Sequence, residues 1–454
     1  MHIAVFGTGY IALITAACLA EMGNEVICVD ADEATIDALD QGRLPVYEPG
    51  LEELVRRNCA GRRLFFSTNF AKAVQDSRIL YLVSGQTGPD RPNLAEVAAL
   101  IAQAAAIGRT MQDYKLIVNK AHAPVGTTVR LHVAVAQALA ARGLHLDFDV
   151  VVDPEFIKQG TAIDDFMRPD RIIIGCDSPA AAETMRELYA PFVRTNRPII
   201  VMDILSAELL KFAASAFLAT KISFMNELAH ICAALGADIN LIRQGLGADS
   251  RIGPLFLFPG LGYGGRRFSQ GIRGLIETAH TVGYRPQLLE ATEAINRQQR
   301  QYFLQLIKKH FQGQLQGRVL AVWGLAFKPW TDDIREAPAL EILTALLQEG
   351  AKIKAYDPQA VKAAQDFFGA DHPGISYAPD MYEAVDGAEA LIIHTDWTMF
   401  RTPDLARLAA RLAQPVIFDG RNLYDPKKLA ARGFIYYYIG GSVSPPQEEA
   451  KIVS

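Results

Sequence analysis

His2-Ile3-Ala4-Val5-Phe6, followed at once by Gly7-Thr8-Gly9-Tyr10-Ile11-Ala12, decides how this chain is read. A short apolar run ends in a Gly-x-Gly-x-x-Ala turn and opens into an apolar helical run, 10–22. In a strand–turn–helix of this kind Gly7 permits the tight turn. Gly9 lets the backbone approach a pyrophosphate, and Ala12 keeps helix and strand close. The helix amino terminus, where Tyr10 and Ile11 lie, then receives the negative charge. Asp30 ends the next strand, about twenty residues on, where a carboxylate accepts hydrogen bonds from ribose hydroxyls and repels a 2′-phosphate. Gly7, Gly9, Tyr10, Ile11 and Asp30 are therefore candidate cofactor residues, and the acid favours NAD over NADP. A plain strand–turn–helix without ligand is the alternative.

Outward from this turn, short apolar runs alternate with helical patterns. Strands are expected at 2–6, 25–30, 79–83, 116–119, 149–152, 171–174 and 198–202, with helices at 10–22, 94–107 and 127–142 between many of them. Such alternation predicts an α/β, mostly parallel, doubly wound sheet. From Ser206 the character changes. Ser206-Ala207-Glu208-Leu209-Leu210-Lys211 opens an Ala-rich helical run to about Gly236, with Ser206 read as N-cap and Glu208 in its first turn. More helix is expected at 271–282 and 286–310. Alternation resumes near Arg318, with strands at 319–322, 352–356, 390–393 and 416–419, and a Ser/Pro/Gln/Glu tail from Gly440 reads as mobile. The expected domains are a dinucleotide domain at 1–203, a helical connector and dimerisation domain at 204–312, a second α/β domain at 313–440 and a tail at 441–454.

The chain has 454 residues, half of them hydrophobic, and a formal net charge of -5. That balance, with no basic stripe, gives no case for a nucleic-acid partner. No apolar stretch approaches a bilayer span, and the amino terminus has no signal-peptide pattern, so a cytoplasmic location without membrane contact is expected. Cys18, Cys28, Cys59, Cys176 and Cys232 are dispersed, form no CxxC pair and read as small buried hydrophobes, so no metal site is expected.

A longer set of motifs resembles one family. Pro45-Val46-Tyr47-Glu48-Pro49-Gly50-Leu51, Asp153-Pro154-Glu155-Phe156, Pro169-Asp170-Arg171-Ile172, Ser206 through Asn226, Gly262-Tyr263-Gly264-Gly265, Gly324-Leu325-Ala326-Phe327-Lys328-Pro329, Thr331-Asp332-Asp333-Ile334-Arg335 and Asp419-Gly420-Arg421-Asn422 look like the UDP-glucose/GDP-mannose dehydrogenases. The resemblance implies two Rossmann-like domains joined by a long central helix, with the second holding the UDP part of a nucleotide sugar. It implies NAD as cofactor and a homodimer through the central helices, with a hetero-oligomer with an active relative as the alternative. It carries over Lys211 and Glu155 as catalytic residues, and Lys120 and Arg335 as further cofactor residues. Phe156, Arg251, Phe258, Tyr263, Gly264, Phe327, Lys328 and Arg421 carry over as substrate-binding residues.

The family's chemistry oxidises the C6 alcohol of the sugar to a carboxylate with two NAD at one site. The second hydride leaves from a tetrahedral adduct made by a cysteine thiolate, which is a good nucleophile and a good leaving group. A lysine and an asparagine stabilise the oxyanion. The cysteine lies in Gly-Tyr-Gly-Gly-Ser-Cys-Phe-Pro-Lys-Asp. Here the segment is Gly262-Tyr263-Gly264-Gly265-Arg266-Arg267-Phe268-Ser269-Gln270-Gly271. The glycines and Phe268 fix the register, so Arg267 stands at the nucleophile position and Gly271 at the aspartate. Arginine is always protonated and is no nucleophile. Ser215 replaces the asparagine one turn after Lys211, Gln159 a glutamate and His122 a threonine. Thr35 stands where a lysine often meets the ribose, and Ser84-Gly85-Gln86-Thr87 departs from the usual cofactor loop.

Three readings follow. The first is a relative that binds NAD, a UDP-sugar or both without normal oxidation to a uronate. The second is a two-electron or otherwise altered nucleotide-sugar oxidoreductase. The third is an active UDP-glucose 6-dehydrogenase making UDP-glucuronate with a displaced nucleophile, for which Cys18 and Cys232 are the candidates.

Overall fold

The computed structural model describes residues 1–83, 94–193 and 197–443, with residues 94 and 267 described by their backbone alone. The chain divides into two compact units, Met1–Ala214 and Ser215–Ser454.

The first unit is built on an eight-stranded sheet. Its strands are β1 (His2–Phe6), β2 (Glu25–Val29), β3 (Leu64–Ser67), β4 (Ile79–Leu82), β5 (Lys115–Asn119), β6 (Phe148–Val152), β7 (Ile172–Gly175) and β8 (Ile199–Met202), in the order β3-β2-β1-β4-β5-β6-β7-β8. β1 pairs in parallel with β2 and with β4, so the strand order reverses beside β1, which is where a doubly wound sheet opens a crevice for a ligand. β7 meets β6 antiparallel at Val152 and Gly175. A Cβ on Gly175 would lie 2.4 Å from Val152 and 2.6 Å from Ala207, so glycine is what lets sheet and helix approach there. Ile3, Val5, Leu116, Val118, Val151 and Ile174 are fully buried, as expected for strands covered by helices on both faces. β3 is an addition to the expected strands. It is a short edge strand with one fully buried residue, so its apolar pattern is weak.

The second unit carries a seven-stranded sheet: β9 (Val319–Trp323), β10 (Lys352–Tyr356), β11 (Ile375–Tyr377), β12 (Ala390–Ile393), β13 (Val416–Asp419), β14 (Ile435–Tyr438) and β15 (Gly441–Val443). The order is β11-β10-β9-β12-β13-β14-β15, parallel except for β15. β15 corrects the reading of a mobile tail from Gly440. Residues 441–443 pair antiparallel with β14, and the residues after 443 lie outside those described.

A helix of 32 residues, Ile204–Leu235, runs across the division between the units. It starts two residues before the expected Ser206. Asp203 is its cap, accepting the Ser206 N–H at 2.8 Å, because a carboxylate one turn earlier reaches the unpaired amide. Glu208 likewise does not serve its own helix. Its buried carboxylate accepts from Gly126 N at 2.5 Å, Thr128 N at 2.9 Å and Thr128 Oγ1 at 2.6 Å, so it caps the helix Thr127–Ala141. The helix expected at 271–282 begins five residues earlier and spans Arg266–Thr281.

Candidate functional site

In the first unit the glycine turn has the form its sequence predicts. Gly7 has φ +120°, and its amide donates to Val29 O at 2.8 Å. A Cβ there would meet Val83 O at 3.2 Å, so both conformation and space call for glycine. Gly9 caps the helix Tyr10–Glu21 with no side chain, and no acid occupies its first turn. The positive end of this helix is thus left for an anion. Ile11 and Ala12 are buried against the sheet. Asp30 accepts from Thr8 Oγ1 at 2.6 Å, which ties the acid to the turn and leaves carboxylate lone pairs for a ribose. Tyr10 donates through its hydroxyl to Glu48 at 2.5 Å. Glu48 also accepts from Gly160 N at 2.5 Å and Ala162 N at 2.7 Å, which anchors the loop before the helix Ala162–Met167. This geometry fits a pyrophosphate and an adenosine ribose. Thr35 donates to the cap residue Asp32 at 2.5 Å, and Gln86 lies outside the described residues.

Lys211 and Glu155, both expected as catalytic residues, lie close together. Both are buried; Lys211 Nζ lies 3.8 Å from Glu155 Oε1 and donates to Ala121 O at 3.3 Å. Glu155 accepts the Ile157 N–H at 3.2 Å. The His122 ring packs 5.3 Å from Phe212, and Phe156 lies under the Arg171 guanidinium at 4.1 Å. Lys120 is buried and ion-paired with Asp153 at 2.8 Å; Tyr189 donates to the same carboxylate and lies 3.1 Å from the Tyr81 hydroxyl. Burial, followed by the Asp153 charge, raises both tyrosines well above the usual range.

In the second unit the glycine-rich loop is held by a helix, Gln287–His310, whose buried face is polar. Asn296 accepts from Tyr263 N at 2.8 Å and donates to Tyr263 O at 3.1 Å; Arg300 donates to the same carbonyl at 3.1 Å. Tyr263 is buried and donates to Glu293 at 2.8 Å; burial, then the Glu293 charge and hydrogen bond, raise its pKa. A Cβ on Gly264 would lie 2.6 Å from Glu336 O, and one on Gly265 would lie 2.6 Å from the Phe327 ring. The helix Arg266–Thr281 starts directly from this loop. The side chain of Arg267, expected at the nucleophile position, lies outside those described. Five residues into the helix, a Cβ on Gly271 would fall 2.9 Å from Ser215 Cβ.

Arg421 donates to His394 O at 2.6 Å and Phe327 O at 3.1 Å, which joins the loops after β9, β12 and β13. Lys328 Nζ lies 5.9 Å from the Phe327 ring. Arg251 is exposed and forks onto Asp249, at 2.6 Å for its closest contact, and exposed Phe258 carries Arg243 at 5.1 Å. Arg335 forks onto Asp333 at 2.6 and 2.8 Å.

The five cysteines are free and burial raises every thiol, with Cys18 and Cys28 pushed furthest. Cys18 belongs to the core of the first unit and Cys232 to that of the second, so neither is placed or charged to act as a thiolate. No group of His, Cys, Asp and Glu suited to a metal occurs among the described residues. No described helix is long and apolar enough to cross a membrane.

Sequence reading missed the residues that hold the loop: Glu293, Asn296 and Arg300, with Gln299 donating to Gly260 O and Asn226 accepting from Gly260 N, each at 2.8 Å. Their signal was present. Residues 292, 293, 296, 299, 300, 303 and 307 are the buried positions of the helix Gln287–His310, a helical period made largely of polar side chains. A buried polar stripe points to backbone elsewhere that needs partners.

Comparison with known proteins agrees along the chain. Residues 1–193 match the UDP-glucose/GDP-mannose dehydrogenase family, NAD binding domain; residues 205–298 match its central domain and 321–426 its UDP binding domain. The chain is 43% identical to a UDP-glucose 6-dehydrogenase of Pseudomonas aeruginosa over 97% of each chain. It is 42% identical to one from Bacillus subtilis, over 96% of this chain and 93% of the relative. Among solved structures it is similar to a UDP-glucose dehydrogenase from Pyrobaculum islandicum, with a TM-score of 0.85, 32% identity and 97% of each chain covered.

Proposed function

Because the chain belongs to the UDP-glucose/GDP-mannose dehydrogenase family and has its NAD-binding domain, we propose that it binds NAD and a UDP-linked sugar without the four-electron oxidation to a uronate. The observation that carries this reading is Arg267 at the nucleophile position, with no competent thiol elsewhere: all five cysteines are raised by burial. The surroundings of that position support it. Ser215 and Gly271 stand where the family pattern has asparagine and aspartate, and a Cβ on Gly271 would lie 2.9 Å from Ser215 Cβ, so a larger side chain at 271 would crowd Ser215. Loss of a nucleophile alone costs several orders of magnitude in rate.

On this reading NAD, when bound, supplies the hydride acceptor of the family's chemistry. Gly7, Gly9 and the helix Tyr10–Glu21 hold its pyrophosphate, and Asp30 its ribose. Arg421, Phe327 and Lys328 hold the UDP end, where cations and backbone amides suit a diphosphate. A homodimer follows from the apolar face of the long helix, where Phe217, Phe224 and Ile231 are exposed at intervals of one heptad.

The retained Lys211–Glu155 pair favours a second reading, in which one hydride is transferred and the reaction stops at the aldehyde. The relatives named UDP-glucose 6-dehydrogenases make UDP-glucose the first substrate to try. NADH release from purified protein, NAD and UDP-glucose separates the readings. None is expected; one NADH with an aldehyde product selects the second.

A further inference from the structure

Thr8 stands between the two glycines of the turn in the first unit. It is 6% exposed, so its hydroxyl needs an acceptor inside the protein. That acceptor is Asp30 Oδ2, at 2.6 Å. The other oxygen of the same carboxylate, Oδ1, accepts the Asp32 N–H at 3.2 Å. A carboxylate offers about four lone-pair sites, shared between its two oxygens. The protein takes one on each oxygen and leaves one on each. A ribose presents two neighbouring hydroxyls, each with one proton to donate, so the sites left open match a vicinal diol.

Both protein donors are held in place. The turn under Thr8 is pinned where the Gly7 N–H donates to Val29 O at 2.8 Å, and the Asp30 N–H donates to Ser67 O at 3.2 Å. Asp32 caps the helix Glu33–Asp40, accepting from Ala34 N at 3.2 Å, and Thr35 Oγ1 donates to its second oxygen at 2.5 Å. An aspartate side chain turns about its own bonds unless a partner stops it, and ordering it only when a ligand arrives costs affinity. The bond from Thr8 sets the pose of Asp30 beforehand.

We propose that Thr8 is a positioning residue for cofactor selectivity: it holds Asp30 with one open lone pair on each oxygen toward the adenosine ribose, and this pose sets the preference for NAD over NADP. A 2′-phosphate replaces one donating hydroxyl by a like charge, and a carboxylate that cannot turn aside has no way to avoid it. An acid free to turn would discriminate less, so the preference belongs to the Thr8–Asp30 pair rather than to Asp30 alone. The inference rests on the NAD-binding reading above and is independent of whether a hydride is transferred.

Calorimetry of the full chain with NAD, and displacement of NAD by NADP, tests it in the parent, Thr8→Val and Thr8→Ser. Valine keeps the shape of threonine without the hydroxyl. Thr8→Val is expected to bind NAD about tenfold more weakly and NADP no more weakly, so the preference for NAD falls about tenfold, the loss of one charge-assisted hydrogen bond. Thr8→Ser keeps the hydroxyl and is expected to keep the preference within about twofold. Thr8→Ala, which removes the hydroxyl without adding bulk, gives the same readout should the valine chain not fold. A merely structural threonine would weaken both nucleotides together, so a preference unmoved by loss of the hydroxyl overturns the proposal. So does a Thr8→Ser chain that behaves like Thr8→Val. A parent that binds neither nucleotide refutes the NAD-binding reading itself, whereas a parent that binds NAD with an unmoved preference in the variants refutes this inference alone.

Discussion

Gly271 and Ser215 meet where two helices pack tightly. A single added methyl at 271 would place Cβ 2.9 Å from Ser215 Cβ, an atom fixed to backbone that cannot swing away. Gly271→Ala is therefore expected to destabilise the protein by about 1–3 kcal/mol, although alanine is otherwise the better helix former by roughly 1 kcal/mol. Urea midpoints measure this, and a stabilised variant would show that the two helices have room between them. His394 supplies a pH prediction. It is 1% exposed, and burial, then the nearby Arg421 charge, push its pKa down from 6.5 to about 3 against a weaker opposing pull from the Gly324 backbone. Below pH 6.5 the unfolded chain binds a proton that the folded histidine refuses until about pH 3, so stability falls as pH falls through that window. The slope is about 1.4 kcal/mol per pH unit, and His394→Leu should remove it from the acid limb of a urea-midpoint profile. An unchanged slope would mean that His394 is protonated in the folded state. Of these details the residues at 267, 215 and 271 were legible in the sequence as departures from the expected family pattern. The contact between 215 and 271 was not, because it depends on how two helices far apart in sequence meet.

At the level of elements, the strands flanked by helices on both faces were legible because full burial makes them near-continuous apolar runs. Edge strands such as β3 and β11 were not, being short and half-wet. The helix Ile204–Leu235 was legible as a helix, but its cap was misassigned: Ser206 is a good cap residue, and Asp203 reaches the amide first. Glu208 likewise belongs to another helix, a relation across some eighty positions that no local pattern carries. The same helix exposes Phe217, Phe224 and Ile231, with Leu235 at its end. If a second copy covers this stripe, Phe217→Glu with Phe224→Glu should halve the mass measured by light scattering. The fold should survive, because both rings are exposed in the single chain. A mass that does not change on substitution would place the contact elsewhere.

Across the whole molecule, two sheets of similar order serve different ends, and one acid in each shows why. Asp30, after β2, binds one turn hydroxyl and one nearby amide. Asp357, after β10, accepts from Leu325 N, Ala326 N, Gln359 N, Ala360 N and Trp397 Nε1, so the corresponding turn of the second sheet is filled by its own protein. Beside it, a Cβ on Gly324 would lie 2.4 Å from Thr395, which closes that turn further. The glycine fingerprint marks the first sheet as the dinucleotide binder, and the second has no such turn to offer. On the proposed reading, what the sequence alone left open was whether another thiol could stand in for the one expected at 267, since burial is a property of the folded chain. The most direct test of the account incubates purified protein with NAD and UDP-glucose, follows NADH, and weighs the sugar product. The account predicts no NADH and unchanged UDP-glucose; two NADH for each UDP-glucuronate formed would contradict it.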